Sequence, residues 1–110
     1  MMKNLLTHSI VWIFVCVLCG PLHAADKTLS FAKDVAPVLK TFCLDCHNKE
    51  VQEANTRLDN LNPDMLNGPD AERWHHALNM INLGKMPPED SEQPDEEALV
   101  RMIEWIQGEL

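Results

Sequence analysis

The chain has 110 residues, with 9 Lys and Arg against 17 Asp and Glu and a formal net charge of −8 when the histidines are neutral. That length allows one domain. An acidic surface without a basic stripe or interleaved aromatics repels phosphate backbones and excludes nucleic-acid binding; it suits a partner protein with a basic docking face instead.

The N-terminus carries Lys3, then an unbroken apolar run, IVWIFVCVLC at 10–19, stopped by Gly20-Pro21 and followed by LHAA. This is the layout of an export signal. The run falls short of the roughly 20 residues that a spanning helix needs. A signal peptide over 1–24, cut after Ala24 or Ala25, is therefore expected in preference to an uncleaved anchor, and Val17-Leu18 is a poor lead-in for lipidation at Cys19. The expected product is periplasmic or otherwise exported, has no membrane span, and loses Cys16 and Cys19 while keeping Cys43 and Cys46. Its only aromatics are Phe31, Phe42, Trp74 and Trp105. So small a chain with so few large side chains commonly needs a staple such as a metal, a disulfide or a bound cofactor.

After a short polar lead at 25–30, the predicted domain occupies 31–110. Phe31, Val35, Val38, Leu39, Phe42 and Cys46 recur at helical spacing. Asp34 is the expected N-cap, with Pro37 in the first turn, where its missing N–H costs little. This places Phe31 to Lys33 in a separate turn and the helix end near His47. Residues 48–68, rich in Asn and Asp, read as a long loop anchored by Leu58, Leu61 and Met65; loops of that length are functional or wrap around something. A second helix starts at Pro69, shows Ala71, Trp74, Leu78 and Ile81 on one face, and stops at Gly84. Pro87 and Pro88 make the next segment non-helical. A third helix begins at Pro94-Asp95-Glu96-Glu97, with acids at its positive end and Ala98, Leu99, Met102, Ile103 and Ile106 as its buried stripe. No strand pattern or repeat is visible, so the expected fold class is all-α with three main helices.

The stretch FCLDCH, 42–47, carries the chemistry. A dithiol of the thioredoxin kind needs a helix N-terminus within a βαβ unit, whereas this pair ends a helix with no flanking strands. A structural zinc needs four ligands. Cys43, Cys46 and His47 with one of His75 or His76 make up that number, yet His47 directly behind Cys46 is poorly placed to share its ion. C-x-x-C-H is also the signature of covalent haem attachment. Thiols three apart on a helical turn face the same way and can each add across one vinyl group of a single ring, with the histidine beneath the iron as proximal ligand. Export favours haem c over the other two. CVLCG at 16–20 has the same cysteine spacing but no histidine, and reads as part of the signal.

Met86 is the expected distal ligand, held on a stiff Gly84-to-Pro88 segment and on no apolar helical face. Met65, Met80 and Met102 read as loop or helix packing, and His75 and His76 as exposed helix residues. Lys49 and Lys85 flank the two ligand segments and are candidates to ring an exposed haem edge. Phe42, Leu58, Trp74 and Leu78 are the expected haem neighbours. No second acid, base or nucleophile is arranged nearby, so an electron carrier is expected in preference to an enzyme. The competing reading is a haem sensor or peroxidase-like enzyme with an open distal site.

These residues resemble class I c-type cytochromes, in detail the planctomycete-type cytochrome c domain. The resemblance runs over Phe31, Val35, Pro37 and Leu39 into Cys43, Cys46 and His47, then Leu58-Asp59, then AERWHHALNMINLGKMPP and the closing EEALVRMIEWIQGEL. It implies three helices wrapped around one covalently attached haem. Cys43 and Cys46 would carry the thioethers, with His47 and Met86 bound to iron, for one-electron transfer to a redox partner. Many class I cytochromes place a proline soon after the haem motif to orient the histidine; here the nearest is Pro63.

Overall fold

The computed structural model describes residues 28–110. The apolar run, its cleavage site, Cys16 and Cys19 lie outside the described residues. Among those described, the architecture is all-α, with three α-helices and no strand beyond a single antiparallel bridge between His47 and Gln52.

The separate turn expected at Phe31 to Lys33 is present and runs on to Val35. Ser30 caps a wide π-type turn over Phe31–Val35, its hydroxyl accepting the Lys33 N–H at 3.3 Å, while Asp34 Oδ2 accepts the Ser30 N–H at 2.7 Å. Asp34 thus belongs to this turn and does not cap the next helix. α1 follows directly, over Ala36–Phe42, with Pro37 in its first turn as expected.

α1 ends at Phe42, short of the expected His47. The cause is local: the Asn48 side-chain amide donates to the carbonyls of Leu44 at 2.7 Å and Asp45 at 3.3 Å, and its Oδ1 accepts the N–H groups of Glu50 and Val51. An asparagine that satisfies carbonyls in this way offers the chain an alternative to helix. One further turn, closed by the His47 N–H on the Cys43 carbonyl at 3.1 Å, carries the two cysteines.

The long loop is present, with one short 3₁₀ turn at Glu53–Asn55. Leu61 and Met65 are buried and Leu58 partly so, as expected of its anchors. α2 spans Ala71–Asn82 and buries Trp74 and Leu78. Its stop uses the freedom of glycine at Gly84, φ +66°. The Gly84 N–H bonds the Ile81 carbonyl at 2.9 Å and the Lys85 N–H the Met80 carbonyl at 3.0 Å, which is the Schellman pattern. α3 spans Glu96–Glu109; the Asp95 side chain caps it by accepting the Ala98 N–H at 2.8 Å.

The Phe31–Val35 turn packs against α1 and α3, and α3 also meets both α1 and α2. Three aromatics join there. Phe31 lies edge-on to Trp74 at 6.0 Å, and Trp105 is 5.6 Å from each. Trp105 is a buried member of the α3 stripe that periodicity did not single out, whereas Ala98, Leu99 and Ile103 are only partly buried.

Candidate functional site

Two loops and the faces of all three helices enclose a cavity of about 620 Å³, within the range of about 300–1,000 Å³ that holds a small molecule or cofactor. Phe42 lines it from the last residue of α1, and Cys43, Cys46 and His47 from just beyond; Leu58 lines it from the long loop, and Met86 from the segment after α2. The fold therefore gathers all four sequence-predicted site residues onto one cavity. Trp74 and Leu78, expected to join them, do not. Trp74 is fully buried in the aromatic cluster, where its indole N–H donates to the Asn62 carbonyl at 2.7 Å, and Leu78 lies in the same core.

His47 is buried, at 7% exposure, and tightly held. Its Nδ1 lies 3.0 Å from the Thr56 carbonyl. A carbonyl only accepts, so Nδ1 carries a proton, and in the neutral ring Nε2 is then the nitrogen with the lone pair. A backbone acceptor on one ring nitrogen fixes the tautomer and orientation with which the other can ligate a metal. The backbone around it is fixed too: the His47 carbonyl accepts the Leu58 N–H at 2.9 Å and the Cys46 carbonyl the Glu53 N–H at 3.0 Å. In a chain whose nearest proline after the motif is Pro63, the imidazole is thus oriented by the Thr56 carbonyl. The turn that delivers it passes through two left-handed residues, Ala54 at φ 54° and Asn55 at φ 55°.

Cys43 and Cys46 are both free thiols. Cys43 is half-buried, and burial pushes its thiol up to about 11; Cys46 is exposed. The Cys43 thiol is thus protonated at neutral pH. Among the described residues, no group of three or more His, Cys, Asp or Glu side chains is gathered for a metal ion. The two thiols and the imidazole line the same cavity.

Met86 is half-buried, its N–H bonded to the Met80 carbonyl at 3.2 Å, and the Met86–Pro87 peptide is cis. Met80, Met102 and His76 also line the cavity, while Met65 and His75 do not. Met102 is 1% exposed and packed in the core, and Met80 lies on α2, so Met86 remains the methionine on a non-helical wall. His76 is exposed.

The cations at the cavity are Arg57 and Arg73, not the exposed Lys49 and Lys85, neither of which lines it. Arg57 makes a two-point pair with Asp59, at 2.6 and 3.1 Å. Arg73 projects from α2, holds the long loop at two points, the Arg57 carbonyl and Asn60 Oδ1 at 2.8 Å, and pairs with Asp70 Oδ1 just before the helix at 2.9 Å. Asp70 in turn accepts the Asn62 N–H at 2.8 Å. That bond, followed by the Arg73 guanidinium, holds the Asp70 carboxyl below its ordinary range. Sequence reasoning missed this grip; the only trace of it is one arginine in each of TRLDN and AERW.

Residues 43–90 match a family model described as planctomycete cytochrome C. The matched span begins at the first motif cysteine and closes just beyond Pro87-Pro88. The Phe31–Val35 turn, α1 and α3 lie outside it. No curated relative and no solved structure matches the chain. The chain carries a cytochrome c-like domain.

Proposed function

We propose that the chain is a one-electron carrier with a single haem c. In this reading Cys43 and Cys46 hold the ring by thioethers, His47 is the proximal ligand and Met86 the distal one. The carrying observation is the cavity itself: both thiols, an imidazole with Nδ1–H engaged and Nε2 free, and Met86 line one largely apolar space. Attachment balances without a leaving group, since each S–H adds across a vinyl double bond, sulfur to one carbon and hydrogen to the other. Bound there, the haem supplies reversible one-electron iron chemistry, at a potential that Met/His ligation raises.

The chain's own part is to bind, orient and exclude water. Thr56 fixes the imidazole, while Leu39, Phe42, Leu58 and Ile81 give the cavity apolar walls that keep solvent from the metal. Export fits the layout of the N-terminal segment, and among the described residues no helix is long and apolar enough to cross a membrane. The acidic run Glu89 to Glu97 follows the Met86 wall directly and gives a basic redox partner a docking face; association with such a partner then slows as salt rises.

The test is the visible spectrum of the exported protein. A pyridine haemochrome typical of two thioethers, together with the weak far-red band of ferric thioether ligation, is expected. A haem protein without that band that binds cyanide at once would support the open-site sensor or peroxidase-like reading instead.

A further inference from the structure

The segment that carries Met86 past the cavity has few hydrogen-bond donors of its own. Pro87 and Pro88 have no N–H. The Met86 N–H turns back to Met80, and the Ser91 N–H bonds the Pro88 carbonyl at 2.9 Å. Three carbonyls of this segment converge on a single side chain: Gln93 Nε2 donates to Pro88 O at 2.7 Å and lies 3.2 Å from Ser91 O and 3.4 Å from Pro87 O. An amide nitrogen has two hydrogens. Pro88 is therefore the firm partner, and the other two carbonyls share the second hydrogen.

Met86, Pro87, Pro88 and Ser91 all line the cavity, and Pro87 is buried; Gln93 is exposed and does not line it. A surface glutamine thus braces a wall that it does not form. We infer that Gln93 is a positioning residue: its amide holds the 86–91 segment in the shape that keeps Met86 on the cavity. This rests on the reading of Met86 as distal ligand.

The experiment uses the exported, haem-loaded chain in its ferric form, with cyanide as the probe of distal-ligand release. Gln93→Leu removes both donors at similar bulk. Gln93→Glu sets a carboxylate oxygen against three acceptors, and Gln93→Lys restores N–H donors. Losing one net hydrogen bond corresponds to about tenfold, so cyanide capture is expected to speed up about tenfold in Gln93→Leu and by more in Gln93→Glu. The far-red ferric band should weaken in both, with unchanged far-ultraviolet circular dichroism, and Gln93→Lys should stay close to wild type. Wild-type band and capture rate in Gln93→Leu would overturn the role, as would a Lys variant as labile as the Leu variant. If Gln93→Glu fails to fold, the Leu and Lys pair carries the test. A wild-type protein lacking the band overturns Met86 ligation itself, and this role with it, before any substitution is made.

Discussion

The two loops that enclose the cavity are held in different ways. Around His47, Cys46, His47, Asn48 and Thr56 are cross-linked through their own backbone and through one asparagine side chain. The first turn of α2 and the residue before it then grip residues 57–62 through Asp70, Arg73 and Trp74. Around Met86, a helix stop, two prolines and one glutamine amide do the holding. Many redundant bonds make a wall that opens only when much of the domain does; a few make one that opens locally, at lower cost. The His47 side should therefore be the permanent attachment and the Met86 side the labile one.

The largest effect should come from the permanent side. Under the proposed attachment, replacing Cys43 and Cys46 together with serine removes both thioethers and with them the group that would fill a cavity of about 620 Å³. The exported product is expected to be colourless and largely without native circular dichroism. A native-like spectrum would show that the polypeptide closes its own core.

Next is the α2 grip. Arg73→Met removes the donors to the Arg57 carbonyl, Asn60 and Asp70, and leaves Asp70 at 7% exposure without its cation. Stranding a buried acceptor costs about 1–3 kcal/mol, readable as a lower urea midpoint at unchanged slope. The haem spectrum should persist in the folded fraction. A loss under about 0.5 kcal/mol, the size of an ordinary surface change, would show the grip to be incidental.

Acid should weaken the same side. The Asp70 carboxyl titrates lower in the folded chain than its ordinary value of 3.8, chiefly because it accepts the Asn62 N–H and then because of Arg73. A depressed folded value means that its contribution is present above pH 3.8 and is lost as pH falls through the lower folded value. Asp70→Asn should therefore flatten the acid limb of the stability curve. An unchanged limb would place acid sensitivity elsewhere.

The smallest effect on stability, and the sharpest on the spectrum, should come from the labile side. Met86 is half-buried on a segment that few bonds hold, so Met86→Ala should keep the haem and most of the fold while abolishing the far-red band and admitting cyanide. Retention of the band would move the distal bond to Met80 or Met102, which line the same cavity.

The contrast also explains what could be read from the sequence. That Cys43, Cys46 and His47 face one cavity is legible from their fixed short spacing at the end of a helix. α2 is legible from Trp74, Leu78 and Gly84, and the non-helical placement of Met86 from its position between a glycine stop and two prolines. The Thr56 acceptor was invisible because every residue carries a backbone carbonyl, and only the left-handed turn at Ala54 and Asn55 brings this one to the imidazole. The early end of α1 was missed because the Asn48 side chain outcompetes a periodic pattern that runs past it. Trp74 was expected at the haem because apolar residues on one helix face look alike in sequence; its indole went to Phe31, Trp105 and the Asn62 carbonyl.

The most direct test of the central claim is the intact mass of the exported, purified chain under denaturing conditions. Covalent attachment at Cys43 and Cys46 requires a polypeptide heavier than the cleaved sequence by one haem, with the pigment resisting acid solvent extraction. A folded protein of bare polypeptide mass, or one that releases its colour on extraction, would contradict the account.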